Sequence, residues 1–259
     1  MTTRFPTRFR LPLGVAGLVL VLAAAPRLLA QGGPPMLTDD PGTPGPNKWE
    51  INVGWTTVRD DASTLTALPE LDLNYGIGNR IEVTYFVDYD DLRAAGSSRW
   101  GPSDSEFAVK WRFYDAGDDG LQISAYPQVN FPTPYSHSDR RGLAAGQTTY
   151  QLPLEIARDF RVIAANVDFG RVFGTGGVTG GWFGGLCLGH ELRQGWELDA
   201  EAHVEADANV GRHETIADAA TRIDLSKQCT LMLLAGRDLS DSLGPRARLI
   251  SYVGIQLRL

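Results

Sequence analysis

The residues of this chain most able to do chemistry stand at every second position. Between Trp196 and Glu205 the sequence interleaves Glu197, Asp199, Glu201, His203 and Glu205 with Leu198, Ala200, Ala202 and Val204. The same spacing sets Glu50 between Trp49 and Ile51, and Glu70 and Asp72 beside Leu71 and Leu73. It sets Glu82 between Ile81 and Val83, and Lys110 and Arg112 on either side of Trp111. Charges on one face of this period form a strip that favours cations and polar solutes in a water-filled space. Alternatively they pair across neighbouring strands and fill a narrow interior. The two readings share the same candidate lining residues. His203 between Glu201 and Glu205 is the one inward constellation that resembles a metal site, and a histidine within a polar ladder is the better expectation. Neither metal nor cofactor is therefore expected.

Catalytic signatures are missing from the sequence. There is no Gly-x-Ser-x-Gly elbow and no His-Glu-x-x-His pair, and the glycines of Gly174–Gly181 lack the Lys-Ser/Thr of a phosphate loop. His137, His190 and His213 fall in loops or at strand ends. No enzyme is expected.

Alternation with period two is the mark of a β-strand with two different faces. Twelve such segments can be marked, at about 48–58, 64–75, 79–90, 105–115, 120–131, 147–158, 161–171, 180–191, 195–207, 214–225, 228–238 and 247–259. Several run about ten residues or more, the length a tilted membrane strand needs. Soluble strands more often run about five or six. Aromatic residues gather near segment ends (Trp49, Tyr75, Tyr89, Trp111, Phe131, Trp182, Trp196), where interfacial girdles lie. The expected fold is all-β, a transmembrane antiparallel up-and-down barrel of about twelve strands over residues 48–259. Tight connections follow the even-numbered segments, and long ones are expected at Asp91–Asp104 and Pro132–Gly146. The weakest alternation lies at 209–222. Cys187 and Cys229 sit on separate segments and read as two free, buried thiols.

The first thirty residues read as a signal peptide: Arg4, Arg8 and Arg10 precede an apolar run from Leu11 to Ala25. The whole chain carries 24 Lys and Arg against 31 Asp and Glu. Loss of the leader removes four arginines and no acid, leaving 20 basic groups against 31 acids, a formal net charge of −11. Nucleic acid is not a partner for such a surface. Residues 31–47 are rich in Pro and Gly and cannot form a central strand. They are expected on the periplasmic side, as an entry turn ahead of the barrel in preference to a plug in its mouth.

The chain closes on Tyr252-Val253-Gly254-Ile255-Gln256-Leu257-Arg258-Leu259. Its apolar alternation resembles the terminal strand signal of outer-membrane barrels, with Tyr252, Gly254, Leu257 and Leu259 as the candidate signal positions. The resemblance implies the barrel assembly machinery and outer-membrane lipid as partners. Leu259 departs from the aromatic residue commonest at the last position.

The segment Pro34-Pro35-Met36-Leu37-Thr38-Asp39-Asp40-Pro41, with Trp49-Glu50-Ile51-Asn52 after it, resembles the start of a proteobacterial outer-membrane transporter-like β-barrel family. That family is related to the meta-pathway phenol-degradation proteins. The resemblance covers about twenty residues. It implies a porin-like barrel in the Gram-negative outer membrane that passes small solutes, with aromatic compounds as a narrower expectation. A sealed structural or ligand-binding barrel presenting external loops is the alternative expectation.

Overall fold

The computed structural model describes residues 32–117, 120–144, 146–176 and 180–259. The expected signal peptide lies outside the described residues. Thirteen strands run in order: β1 (Trp49–Arg59), β2 (Ser63–Ile77), β3 (Ile81–Ala94), β4 (Ser97–Asp115), β5 (Leu121–Ala125), β6 (Gln128–Pro132), β7 (Thr149–Asp159), β8 (Ala164–Gly174), β9 (Gly181–Arg193), β10 (Trp196–Asp207), β11 (His213–Ser226), β12 (Cys229–Asp241) and β13 (Leu249–Arg258). A single helical turn, α1 (Ser138–Arg141), sits between β6 and β7.

β5 and β6 are two halves of one strand. Pro127 cannot donate to a ladder, and the break at Tyr126-Pro127 is bridged by Val109 N–H donating to Pro127 O and Tyr126 N–H to Pro153 O. Both halves lie between β4 and β7. Counted so, the sheet has twelve antiparallel strands, each beside its sequence neighbour. β13 pairs with β1 from Glu50↔Arg258 to Arg59↔Leu249 and closes the ring. Among the described residues no edge strand is left unpaired, the condition for a sheet to cross a bilayer.

The side chains point as the alternation requires, and opposite to a soluble sandwich. Val53, Trp55, Phe107, Trp111, Leu186, Leu198, Val253 and Ile255 are exposed on the outer face. Asn52, Asp72, Glu82, Lys110, Glu155, Asp199, Glu201 and Gln256 are buried on the inner one. An apolar band turned outward is stable against hydrocarbon and costly against water. Aromatic pairs stand near the strand ends, Trp49 with Tyr75 at 4.8 Å and Tyr89 with Trp100 at 6.0 Å between ring centres.

Turns following even-numbered barrel strands are short, at residues 78–80, 116–120, 160–163, 194–195 and 227–228. Short turns mark the periplasmic end, and both Trp49 and Leu259 stand there, exchanging backbone hydrogen bonds. The expected loop Asp91–Asp104 is instead a tall hairpin. β3 and β4 stay paired from Asp90↔Gly101 to Ala94↔Ser97, and Ala95 and Gly96 take positive φ at the tip, as a two-residue hairpin requires. Polar residues there hid the strand because both its faces meet water above the membrane. The second expected loop holds at residues 133–148 and leans on β4 through Ser138 Oγ to Pro102 O and Arg141 Nη1 to Trp100 O. The weak segment at 209–222 becomes β11, whose pairing begins at Ala206↔His213. Cys187 and Cys229 are free as expected, although Cys229 is only half-buried.

Candidate functional site

The interior is organised around the chain's own N-terminal segment. Residues 32–41 form a turn, with Gly33 N–H donating to Thr38 O and Met36 N–H to Gly33 O. That turn lies inside the barrel and not ahead of it. Residues 43–48 then return to the periplasmic rim, where Asn47 N–H donates to Gly76 O and Thr43 Oγ1 to Asn79 O.

Three charged inner residues clamp the segment. Glu201 on β10 accepts from Leu37 N–H at 3.0 Å and from both the amide and the hydroxyl of Thr38. Arg222 on β11 donates Nη2 to the carbonyls of Gly32, Gly33 and Pro34 at 3.2, 2.8 and 2.9 Å, and lies 3.9 Å from Asp199. Lys110 on β4 donates to Asp40 O at 2.7 Å and pairs with Asp39 at 3.0 Å. The same ammonium stands 3.8 Å from Glu82 and 3.7 Å from Glu155. A buried cation shared among several acids offsets the cost of taking those charges out of water. Charge-assisted hydrogen bonds of this kind are stronger than neutral ones.

An apolar anchor completes the seat. Met36 packs into a small cluster of Cys187, Ala220, Met232, Leu234 and Tyr252 on the inner wall. Glycine provides clearance: a Cβ on Gly185 would come within 2.0 Å of Thr38 Oγ1, so the segment approaches the β9 backbone directly.

Above the segment lies a cavity of about 660 Å³. Residues Gly33 to Asp39 form its floor, and its wall reaches Gly180–Phe183, Ala206, Asp207, Arg212 and Leu243 at the external strand ends. Glu70, Asp72, Glu106, Glu155, Asp168 and Glu205 give it an acidic lining, and Phe86, Tyr126, Trp182 and Phe183 supply aromatic faces. Phe183 stacks on His203 with ring centres 6.3 Å apart.

The expected lining residues therefore divide by height. Glu70, Asp72 and Glu205 border the cavity. Glu82, Lys110, Asp199 and Glu201 belong to the zone around the inserted segment. Glu50 pairs across the ladder with Arg258 near the periplasmic end. Arg112 sits at the periplasmic rim, donating to Asn79 O at 2.6 Å and pairing with Asp115 at 3.3 Å. The strip Glu197–Glu205 spans the whole height of β10, and the segment covers its middle. His203 belongs to no three-ligand arrangement among the described residues, and it lies 3.9 Å from Glu205. At the terminal strand, Tyr252 is buried inward against Gly54 and Gly254, while Leu259 is exposed.

Sequence reasoning missed the roles of Met36, Thr38 and Arg222. One signal was present: Leu231-Met232-Leu233-Leu234 is apolar on both faces, so the inner face of β12 needed an apolar partner inside the barrel.

No protein-family model matches this chain, and no curated protein matches it. Solved structures do match in fold. An outer membrane channel from Pseudomonas putida F1 superposes with a TM-score of 0.72 at 11% identity, over 88% of this chain and 100% of that one. NanC porin gives 0.58 at 8% identity, over 82% and 100%. KdgM porin in complex with oligogalacturonate gives 0.55 at 9% identity, over 80% and 98%. This chain is a closed twelve-stranded antiparallel barrel with the fold of outer-membrane channels and porins.

Proposed function

We propose that this protein is an outer-membrane channel through which small solutes diffuse, entering by the external cavity and passing the N-terminal segment. The observation that carries the reading is the cavity itself. It is acid-lined, reaches the external rim, and is floored by the inserted residues Gly33 to Asp39 instead of a packed core. A barrel built only as a scaffold gains nothing from buried charges that need partners. The acid excess favours cations and neutral polar solutes over anions. Its neighbours in fold are channels and porins, which supports the reading of transport.

A narrower reading concerns the solute. Phe86, Tyr126, Trp182 and Phe183 turn aromatic faces into the cavity beside the carboxylates, a lining that suits small aromatic compounds carrying a polar or cationic group. This agrees with the resemblance of residues 34–52 to the meta-pathway-related transporters. Liposome swelling with neutral sugars, small cations, small anions and monoaromatic solutes tests both levels. Swelling by cations and neutral solutes ahead of anions is expected, with aromatic amines among the permeants. Preference for anions would overturn the selectivity, and silence with every solute would overturn the channel.

A further inference from the structure

Near the external end of the barrel, Glu214 on β11 and Asp238 and Asp241 on β12 bring one carboxylate oxygen each within 4.8 Å of one another. Strand alternation alone would turn Asp238 and Asp241 to opposite faces, because they are three residues apart. The register explains why they meet. Thr215 pairs with Ser240 while Ile216 pairs with Asp238, so Leu239 is an extra residue bulged out of β12. Asp241 lies opposite Glu214 and Asp238 opposite Ile216, which places all three acids on one face, and Leu239 is exposed on the other side.

Asp238 is the buried member of the three. It is fully buried; its Oδ2 accepts from Ala247 N–H, its Oδ1 is left without an N–H donor, and its carboxyl stands within hydrogen-bond reach of Glu214. An orphaned carboxylate oxygen of this kind carries a desolvation cost that a ligand can remove. None of the three carboxylates forms an ion pair among the described residues. The adjacent Arg246 goes instead to the carbonyls of Asp238 and Leu239. Asp241 Oδ1 is held by the amides of Leu243 and Gly244, which fixes that side chain. Glu205 lies across the ladder from Glu214 and faces the external cavity, which gives the cluster a route to solvent.

We propose that Glu214, Asp238 and Asp241 form a binding site for a hard divalent cation, Ca²⁺ in chemical class, which ties β11, β12 and the 242–248 loop together at the external mouth. Oxygen-only ligands suit calcium, with waters completing the shell. The site does not depend on whether the barrel conducts.

Isothermal titration of chelator-treated, full-length barrel in detergent with CaCl₂ tests it. One saturable site per chain is expected, with Kd about 10⁻⁴–10⁻³ M, the range of extracellular modules. Glu214→Gln and Asp238→Asn should each weaken it by about tenfold or more, through loss of ligand charge. Heat-modifiable gel migration reports whether each variant still folds, and Glu214→Gln leaves the Asp238–Ala247 bond intact. Absence of saturable binding overturns the site. So does equal binding by folded Glu214→Gln. Failure to bind accompanied by a more stable Asp238→Asn barrel would show two acids sharing a proton, and would overturn it equally.

Discussion

Lys110 has the widest reach of any single residue in the interior. Its ammonium serves Asp39, Glu82, Glu155 and the Asp40 carbonyl, and stands 4.6 Å over the Tyr126 ring. Replacing it with Gln strands three acids in a space that has lost its cation. Breaking a buried set this way costs about 3–5 kcal/mol, so the Lys110→Gln barrel should lose its folded gel migration at a clearly lower temperature. Lys110→Arg keeps the charge and should stay near wild type. Gly185 tests the seat without touching charge. Gly185→Val forces a side chain against Thr38, Asp168 and His203. It is expected to raise bilayer conductance by displacing the segment while the barrel remains folded. Unchanged conductance in a folded Gly185→Val protein would contradict the seating described for Thr38.

At the scale of elements, β13 both closes the ring and declares the two faces. Val253 and Ile255 are exposed, and Gln256 between Ile255 and Leu257 is buried. Val253→Lys should cost about 2–4 kcal/mol near mid-membrane, read as a lower yield of folded barrel and a lower urea midpoint. Gln256→Lys should cost much less, because Glu50 and Asp72 lie on the same inner face beside its partner Asn52. Equal tolerance of lysine at both positions would reverse the face assignment. Strands of this kind were legible in the sequence because one rule, period two, places every side chain on one face or the other. The rule fails where neither face contrasts, as in the water-exposed β3–β4 hairpin. It also fails at bulges, so the meeting of Asp238 with Asp241 could not be read from spacing. The inserted segment was illegible for a different reason. Pro and Gly say where regular structure stops, but Met36 and Thr38 are placed by contacts with β9 to β13, more than a hundred residues away in the chain. External connections are held by their own chemistry: Arg248 pairs with Asp61 at 2.7 Å and holds that carboxyl below its ordinary range through a hydrogen bond and charge.

For the whole molecule, closure pairs each described strand on both sides and turns the acids into a lining, and the N-terminal segment covers the middle of that lining. The proposed channel must pass residues 32–42, which occupy the lumen between β4, β10 and β11. Its most direct test is single-channel conductance in planar bilayers, comparing the intact protein with a variant lacking residues 32–42. Small, cation-preferring conductance is expected for the intact barrel. In the deletion a severalfold larger conductance is expected with the cation preference kept, because the inner acids of β2, β3, β7 and β10 remain. Equal conductance in the two proteins, or none in the folded deletion, would contradict it.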